Sequence, residues 1–140
     1  MSTTAQVAAP KSNVAARPSF KNQYDHFIDG QWVKPDSGEY FDNPSPIDGK
    51  VFTRAARGNA KDIEKAIDAA HRAFPKWSRT AAAYRSNLLL KIAQVIEDNL
   101  EYLAIVETID NGKAIRETRA ADLPLVIDHF RYFAGPIGLC

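Results

Sequence analysis

The sequence has little of what marks secreted, membrane or nucleic-acid-binding proteins. Its single cysteine, Cys140, cannot form an internal disulfide, which fits a reducing compartment. No stretch approaches the roughly 18 consecutive apolar residues of a membrane-spanning helix, and no apolar core marks a signal peptide. The formal charge of +1 creates no strong field for nucleic acid or an anionic membrane. We therefore expect a cytoplasmic protein that binds neither.

Local catalytic motifs are also absent. The three histidines lie far apart in sequence, and no metal-ligand spacing of His and Cys occurs. The seven glycines show neither dinucleotide-binding nor P-loop spacing. Cys140 has no following residues that could activate a thiol. His71 is expected on the exposed side of a helix, and His129 beside Asp128 is expected to be a satisfied core histidine.

Short strands and turns are predicted over residues 24–58, after a flexible N-terminal arm at residues 1–23. Asp29-Gly30 between two apolar runs is typical of a hairpin turn. Strands are also predicted over residues 39–43 and 51–56. They flank a turn segment, N-P-S-P-I-D-G at residues 43–49, in which two prolines restrict the backbone.

Helical periodicity dominates residues 59–135. Asn59 is predicted to cap a first helix, with Asp62 in its first turn and an end at Pro75. Thr80 and Asn99 are predicted to cap the second and third helices, and the third helix ends at Asn111-Gly112. A last helical run begins at Ala114 and ends at Gly135-Pro136, with a kink or restart at Pro124.

The apolar residues predict more buried surface than 140 residues can cover. The first helix carries an apolar stripe, and the second has a broad face that we expect to be buried, formed by Leu88, Leu89, Ile92, Val95, Ile96 and Leu100. Trp32 and Trp77 are predicted to be core anchors. The last run is apolar on most sides, so these helices are expected to pack against further sequence.

Two acidic residues are candidates for a function. Asp110 lies at a predicted helix end, where a carboxylate is disfavoured by the helix dipole. It can accept hydrogen bonds in the Asn111-Gly112 turn, or it can be an oxygen ligand for a cation. Asp122 can be a helix-start carboxylate or can face a channel.

Six segments occur together in an order that resembles the opening of the NAD(P)-dependent aldehyde dehydrogenase family. They are F-I-D-G-Q-W-V, N-P-S-P-I-D-G-K-V, D-I-E-K-A-I-D-A-A-H-R-A-F-P-K-W, R-S-N-L-L-L-K-I-A-Q-V-I-E, E-T-I-D-N-G-K and R-Y-F-A-G. The resemblance implies an α/β fold, incomplete here and α+β within this piece. Residues 24–140 would form the N-terminal portion of the dehydrogenase, with a β arm for oligomerisation at 24–58. Residues 59–135 would form helices of the Rossmann-type cofactor domain.

The resemblance also implies a function for the complete enzyme. It would oxidise a small aldehyde, acetaldehyde or a similar aliphatic one, to the carboxylate with NAD or NADP, through a cysteine thioester, as a homo-oligomer. The family's catalytic and cofactor-binding residues lie beyond Cys140, so this portion alone is expected to be inactive and to bind no cofactor. Its ending after R-Y-F-A-G departs from the family and suggests a truncated or frameshifted product.

Three residues match weaker family positions. Asp110 matches a position that helps to bind a structural monovalent cation, together with the backbone near Asp42. Asp122 and Leu125 match the border of the substrate entrance tunnel. The alternative to an enzyme portion is a free-standing helical interaction module that binds a partner through its apolar last helix.

Overall fold

The computed structural model describes residues 18–138. Cys140 and residues 1–17 of the predicted arm lie outside the described residues. The elements, in chain order, are β1 (Gln23–Tyr24), β2 (His26–Ile28), β3 (Gln31–Val33), β4 (Tyr40–Pro44), β5 (Val51–Ala56), α1 (Ala60–Trp77), α2 (Ala82–Asp98), α3 (Leu100–Asn111), α4 (Ile115–Glu117), a π-helical segment (Thr118–Asp122) and α5 (Leu123–Gly138). The strands precede all the helices, as the sequence predicts.

The strands form two small sheets. β2 and β3 make the predicted hairpin, and its turn residues Asp29 and Gly30 have φ angles of 55° and 75°. Two consecutive positive φ angles match the twist of a two-residue hairpin. The second sheet has the order β1-β5-β4, in which β1 runs parallel to β5 and β4 runs antiparallel to it. The predicted strands over residues 39–43 and 51–56 are confirmed as β4 and β5.

Asn59 caps α1 through a reciprocal pair of hydrogen bonds. Its side-chain oxygen accepts from the backbone N–H groups of Lys61 at 2.9 Å and Asp62 at 3.2 Å, and the Asp62 carboxylate accepts from the Asn59 N–H at 3.1 Å. This capping box satisfies three donors that the helix leaves unpaired. The predicted cap is confirmed. The predicted end at Pro75 is wrong, because a proline in the last turn removes only one helical hydrogen bond, and α1 continues to Trp77.

The predicted cap at Thr80 is wrong, whereas Asn99 does occupy the cap position before α3, as predicted, without a capping hydrogen bond from its side chain. α2 begins after Ala81, and the Thr80 hydroxyl donates to the Trp77 carbonyl at 2.7 Å, which closes the turn after α1. Asn99 lies between α2 and α3, but its amide donates backwards to the Val95 carbonyl at 2.8 Å. It therefore satisfies an acceptor at the end of α2 instead of a donor at the start of α3.

α3 ends as the sequence predicts, at Gly112 in the left-handed region with φ of 78°. The predicted restart near Pro124 takes the form of a π-helical turn, in which the Leu123 N–H donates to the Thr118 carbonyl five residues earlier. α5 continues through Pro136 to Gly138, so the predicted stop at Gly135-Pro136 is wrong. Pro136 lies in the last turn of α5, where one missing donor is tolerated.

The buried core lies where α2, α3 and α5 meet. Its buried apolar members are Ala93, Ala104, Ile109, Leu123, Ile127 and Ala134. Several are alanines, which let the backbones approach closely, and the Ser86 hydroxyl donates across to the Ala134 carbonyl at 2.7 Å. Arg131 of α5 pairs with Glu97 of α2 at 2.6 Å. No described helix is both long enough and apolar enough to cross a membrane.

Much of the predicted buried surface is exposed. Trp32 and Trp77 are 57% and 45% exposed, so their assignment as core anchors is wrong. Ile92 and Val95 of α2 were predicted to be buried, but both are exposed. His129 was predicted to be a core histidine, and it is exposed as well. His71 is exposed, as predicted. The physical reason is that no second layer of described residues lies over these faces.

Candidate functional site

Asp110 lies at a corner where the end of α3 meets the turn after β4. The Asn43 amide donates to the Asp110 carboxylate at 2.7 Å, across 67 residues of sequence. Beside this contact, the buried Ser45 hydroxyl donates to the Ile109 carbonyl at 2.6 Å. The side chain that caps the following turn is Asn111, which accepts from the Lys113 N–H at 2.8 Å. Asp110 therefore joins the helix end to the sheet.

This corner supplies few ligands for a cation. The exposed Asp42 carboxylate pairs with Arg54, with 3.2 Å between a carboxylate oxygen and Nε. Over residues 18–138 no three His, Cys, Asp or Glu side chains cluster as a metal site. One carboxylate with carbonyl oxygens suits a weakly held ion better than a divalent one. The monovalent cation at Asp110 stays a prediction.

A cavity of about 490 Å³ opens next to this corner, between the three-stranded sheet and α3. Apolar and aromatic side chains form its walls, and Glu107 and Asp110 are the acidic residues that line it. The lining includes Phe20, Tyr24, Phe52, Tyr102, Leu103, Val106 and Leu123. Phe20 packs against Phe52 with ring centroids 4.9 Å apart. The mostly apolar lining of this cavity is that of a hydrophobic core from which some of the packing side chains are missing.

The π-helical segment is held by a buried threonine. Thr118 has no solvent exposure. Its hydroxyl lies 3.1 Å from the Ala104 carbonyl of α3, 3.1 Å from the Ile115 carbonyl and 3.0 Å from the Thr108 hydroxyl. A π turn is rare, and many π turns lie at functional sites. The Thr118 contacts fix this turn against α3.

Asp122, the last residue of the π-helical segment, forms an ion pair with Lys113. The Lys113 ammonium lies 2.7 Å from one carboxylate oxygen and 2.5 Å from the other. The hydrogen bond to Asp122 is the main cause that raises the pKa of Lys113 above its usual 10.5. On another side of the segment, Arg119 contacts both carboxylate oxygens of Glu101 at 2.7 and 2.5 Å. Asp122 is thus held in place by a charged partner from the preceding loop.

Leu125 lies less than one helical turn after Asp122 and is 55% exposed. Together with Val126, His129, Tyr132 and Phe133 it forms an exposed surface that we name the α5 outer face. Leu123 and Ile127, which lie on the other side of α5, are buried. The structure thus brings Asp122 and Leu125 to one end of α5, whereas Asp110 is joined to Asn43.

Sequence reasoning missed Lys113 and Thr118. A threonine inside a helical run can signal a side-chain hydrogen bond to the backbone, so Thr118 had a detectable signal. Lys113 had none, because it pairs with a carboxylate nine residues away across a turn, outside the spacing that brings helical side chains together.

Comparison with known proteins identifies the family. Residues 32–138 match the model of the aldehyde dehydrogenase family, and the chain belongs to it. An aldehyde dehydrogenase of Deinococcus radiodurans is 67% identical over 119 residues, which are 85% of this chain and 23% of that protein. A long-chain-aldehyde dehydrogenase of an Acinetobacter species is 64% identical over 118 residues, 84% of this chain and 24% of that protein. Acetaldehyde dehydrogenase 2 of Cupriavidus necator is 55% identical over 118 residues, with 84% and 23% covered.

The likeness extends to solved structures. The structure of PnpE in complex with nicotinamide adenine dinucleotide superposes with a TM-score of 0.81 at 42% identity, over 86% of this chain and 24% of that one. PnpE is a protein of Pseudomonas sp. WBC-3. The predicted family and its α/β fold class are therefore confirmed. The chain spans about a quarter of the length of these relatives.

Proposed function

We propose that the chain supplies the N-terminal part of an NAD(P)-dependent aldehyde dehydrogenase that oxidises a small aliphatic aldehyde to its carboxylate. The observation that carries the proposal is the match of residues 32–138 to the family, on a structure that superposes on PnpE with a TM-score of 0.81. That relative was solved with NAD, which supports a nicotinamide cofactor for the complete enzyme.

The proposal divides the chemistry between this portion and the rest of the enzyme. The reaction needs a thiolate that attacks the aldehyde carbonyl, hydride transfer to NAD(P)+ and hydrolysis of the thioester. Over residues 18–138 no glycine-rich phosphate loop follows a strand, so we assign the cofactor to no residue here. This portion would build the framework and border the substrate's approach, and alone it would be inactive.

A segment graft tests the proposal. Residues of this chain replace the matching segment of the Deinococcus radiodurans relative, and aldehyde-dependent reduction of NAD(P)+ is measured beside the unaltered relative and the 140-residue chain. We expect turnover from the graft and none from the chain alone. A folded, soluble graft without turnover would contradict the proposal and favour the helical interaction module.

We propose Asp122 and Leu125 as the border of the substrate entrance. Support comes from the exposed Leu125 side chain beside a rare π turn. In the graft, Leu125→Trp should raise KM for bulky aldehydes more than for acetaldehyde and leave KM for the cofactor nearly unchanged. Leu90→Trp, a similarly exposed leucine on α2, is the control. Equal losses for every aldehyde would remove α5 from the entrance.

The size of the natural aldehyde is part of the proposal. The relatives named for long-chain aldehydes and for acetaldehyde are 64% and 55% identical to this chain over the same length. We propose acetaldehyde or a similar short aldehyde, which the name of the 55% identical relative supports and the name of the 64% identical relative opposes, and kcat/KM across a series of chain lengths decides between the two. Higher kcat/KM for the long members would contradict it.

The complete enzyme is further proposed to be a cytoplasmic homo-oligomer without nucleic-acid or membrane partners.

At the corner of Asp110 and the Asp42 backbone we propose a monovalent cation. Exchanging potassium for a large organic cation should lower the melting temperature of the graft but not that of its Asp110→Asn variant. An equal response of both proteins would contradict the cation site.

A further inference from the structure

We infer that Lys113 is a positioning residue: its ion pair with Asp122 sets the direction in which α5 presents Leu125, and thereby the range of aldehydes the complete enzyme accepts. This inference rests on the proposed function, since it needs the entrance to lie at Leu125. It assigns a role to a residue that itself lies in the loop after α3 and outside the proposed entrance border.

The turn that follows α3 fixes the backbone position from which the Lys113 side chain extends. Gly112 is in the left-handed region with φ of 78°, and its N–H donates to the Thr108 carbonyl at 2.9 Å. The Lys113 N–H donates to the Asn111 side chain at 2.8 Å. Since the N–H groups of Gly112 and Lys113 are both held, the lysine side chain extends from a defined backbone position to Asp122, where both carboxylate oxygens contact its ammonium group.

The position of Asp122 matters because it is the last residue of the π turn, directly before Leu123, whose N–H closes that turn. A π turn contains one more residue than the α turn it replaces. If the segment relaxed to α geometry, the residues that follow would rotate by about 100°, the angle of one residue in an α-helix. Thr118 holds the start of the segment and Lys113 holds its end. The start of α5 is therefore oriented from two sides.

The ion pair is placed to orient α5 more than to stabilise the fold. The Lys113 side chain is 46% exposed and that of Asp122 is 25% exposed. Pairs as exposed as this contribute little to the free energy of unfolding, because water and salt screen them. Leu123, Ile127 and Ala134 keep α5 packed in the core without it. Removing the ion pair should thus change the direction in which α5 presents Leu125 and leave the fold intact.

The test compares substituted grafts in the Deinococcus radiodurans relative, with acetaldehyde and a bulky aldehyde as probes. Lys113→Met should change the ratio of their kcat/KM values by roughly fivefold at an unchanged melting temperature. Lys113→Arg, which keeps the charge, should restore most of the ratio. Asp122→Asn should act like Lys113→Met, and the double variant should be no worse than either. Arg116→Met is the matched control, since Arg116 is 84% exposed and forms its ion pair with the adjacent residue Glu117.

The outcomes separate this inference from the proposed function. If Leu125→Trp changes the ratio and Lys113→Met does not, the entrance stands and the positioning role is wrong. If Leu125→Trp has no effect, the entrance proposal is wrong and the role of Lys113 falls with it. Equal losses for both aldehydes together with a lower melting temperature would show a purely structural role and overturn the inference.

Discussion

Replacing Gly112 by alanine should destabilise the junction between α3 and the turn after β4. The glycine has φ of 78°, a region that costs an L-residue about 1–2 kcal/mol. An added Cβ would also lie 3.1 Å from Cγ and 3.2 Å from Cβ of Pro46. The proline ring cannot rotate away, and overpacking of this kind costs about 1–3 kcal/mol. The two costs sum to roughly 2–5 kcal/mol.

Gly38→Ala is the matched control, because it shares the backbone cost without the contact. Gly38 has φ of 72°, and an added Cβ would meet nothing within 4 Å. We expect it to cost only about 1–2 kcal/mol. Urea unfolding followed by far-ultraviolet circular dichroism measures both variants in the same graft, and the difference isolates the contact with Pro46.

A second change locates the cause of that difference. Pro46→Ala removes Cγ and should recover part of the loss in the Gly112→Ala background, which a double-mutant cycle detects as a favourable coupling. If Gly112→Ala and Gly38→Ala cost the same, Pro46 does not pack against the end of α3. The described geometry of the corner at Asp110 would then be wrong.

Three further outcomes are expected. Thr118→Val should cost about 0.5–1.5 kcal/mol in urea unfolding, because the buried hydroxyl that contacts the Ala104 carbonyl and the Thr108 hydroxyl is lost. The hydrogen bond from Lys65 is the main cause that lowers the pKa of Asp36 below 3.8. The stabilisation of the folded state by the charged Asp36 carboxylate is therefore present above pH 3.8 and disappears as pH falls through the lowered pKa. Asp36→Asn should abolish this loss of stability at low pH. The hydrogen bond to Asp122 is the main cause of the raised pKa of Lys113, so the pair contributes a small stabilisation that is present below pH 10.5 and disappears as pH rises through the raised value. An NMR titration should find the pKa of Lys113 lower in Asp122→Asn than in the unaltered graft.

Features set by neighbouring residues were predictable from sequence. The hairpin at Asp29-Gly30, the capping box of Asn59 and the end of α3 at Gly112 each depend on backbone conformation and hydrogen bonds within a few residues. Asn99 shows the limit of that reasoning, because the same amide can serve the helix before it or the helix after it. Sequence pattern does not choose between the two.

Features set by distant contacts were not predictable. The apolar character of Trp32 and Trp77 predicts burial, yet burial requires a neighbouring layer that residues 18–138 do not provide. Asp110 was found as a candidate, but its partner Asn43 lies 67 residues away. Asp122 was found and Lys113 was not, because charge pairing across a turn leaves no periodic signal. The entrance role of Asp122 and Leu125 stays a prediction.

The parallel pairing of β1 with β5 has a consequence for the order in which the chain folds. Gln23 pairs with Arg54, so this contact closes a loop of about 30 residues, whereas the β2–β3 hairpin closes through a two-residue turn. Loop closure becomes costlier with length, and local contacts form first. Among the strands of residues 18–138, β1 leaves the ribosome first, yet it must wait until residue 55 has been synthesised before it can pair. The earliest strand to be made is therefore expected to be the last to join its sheet.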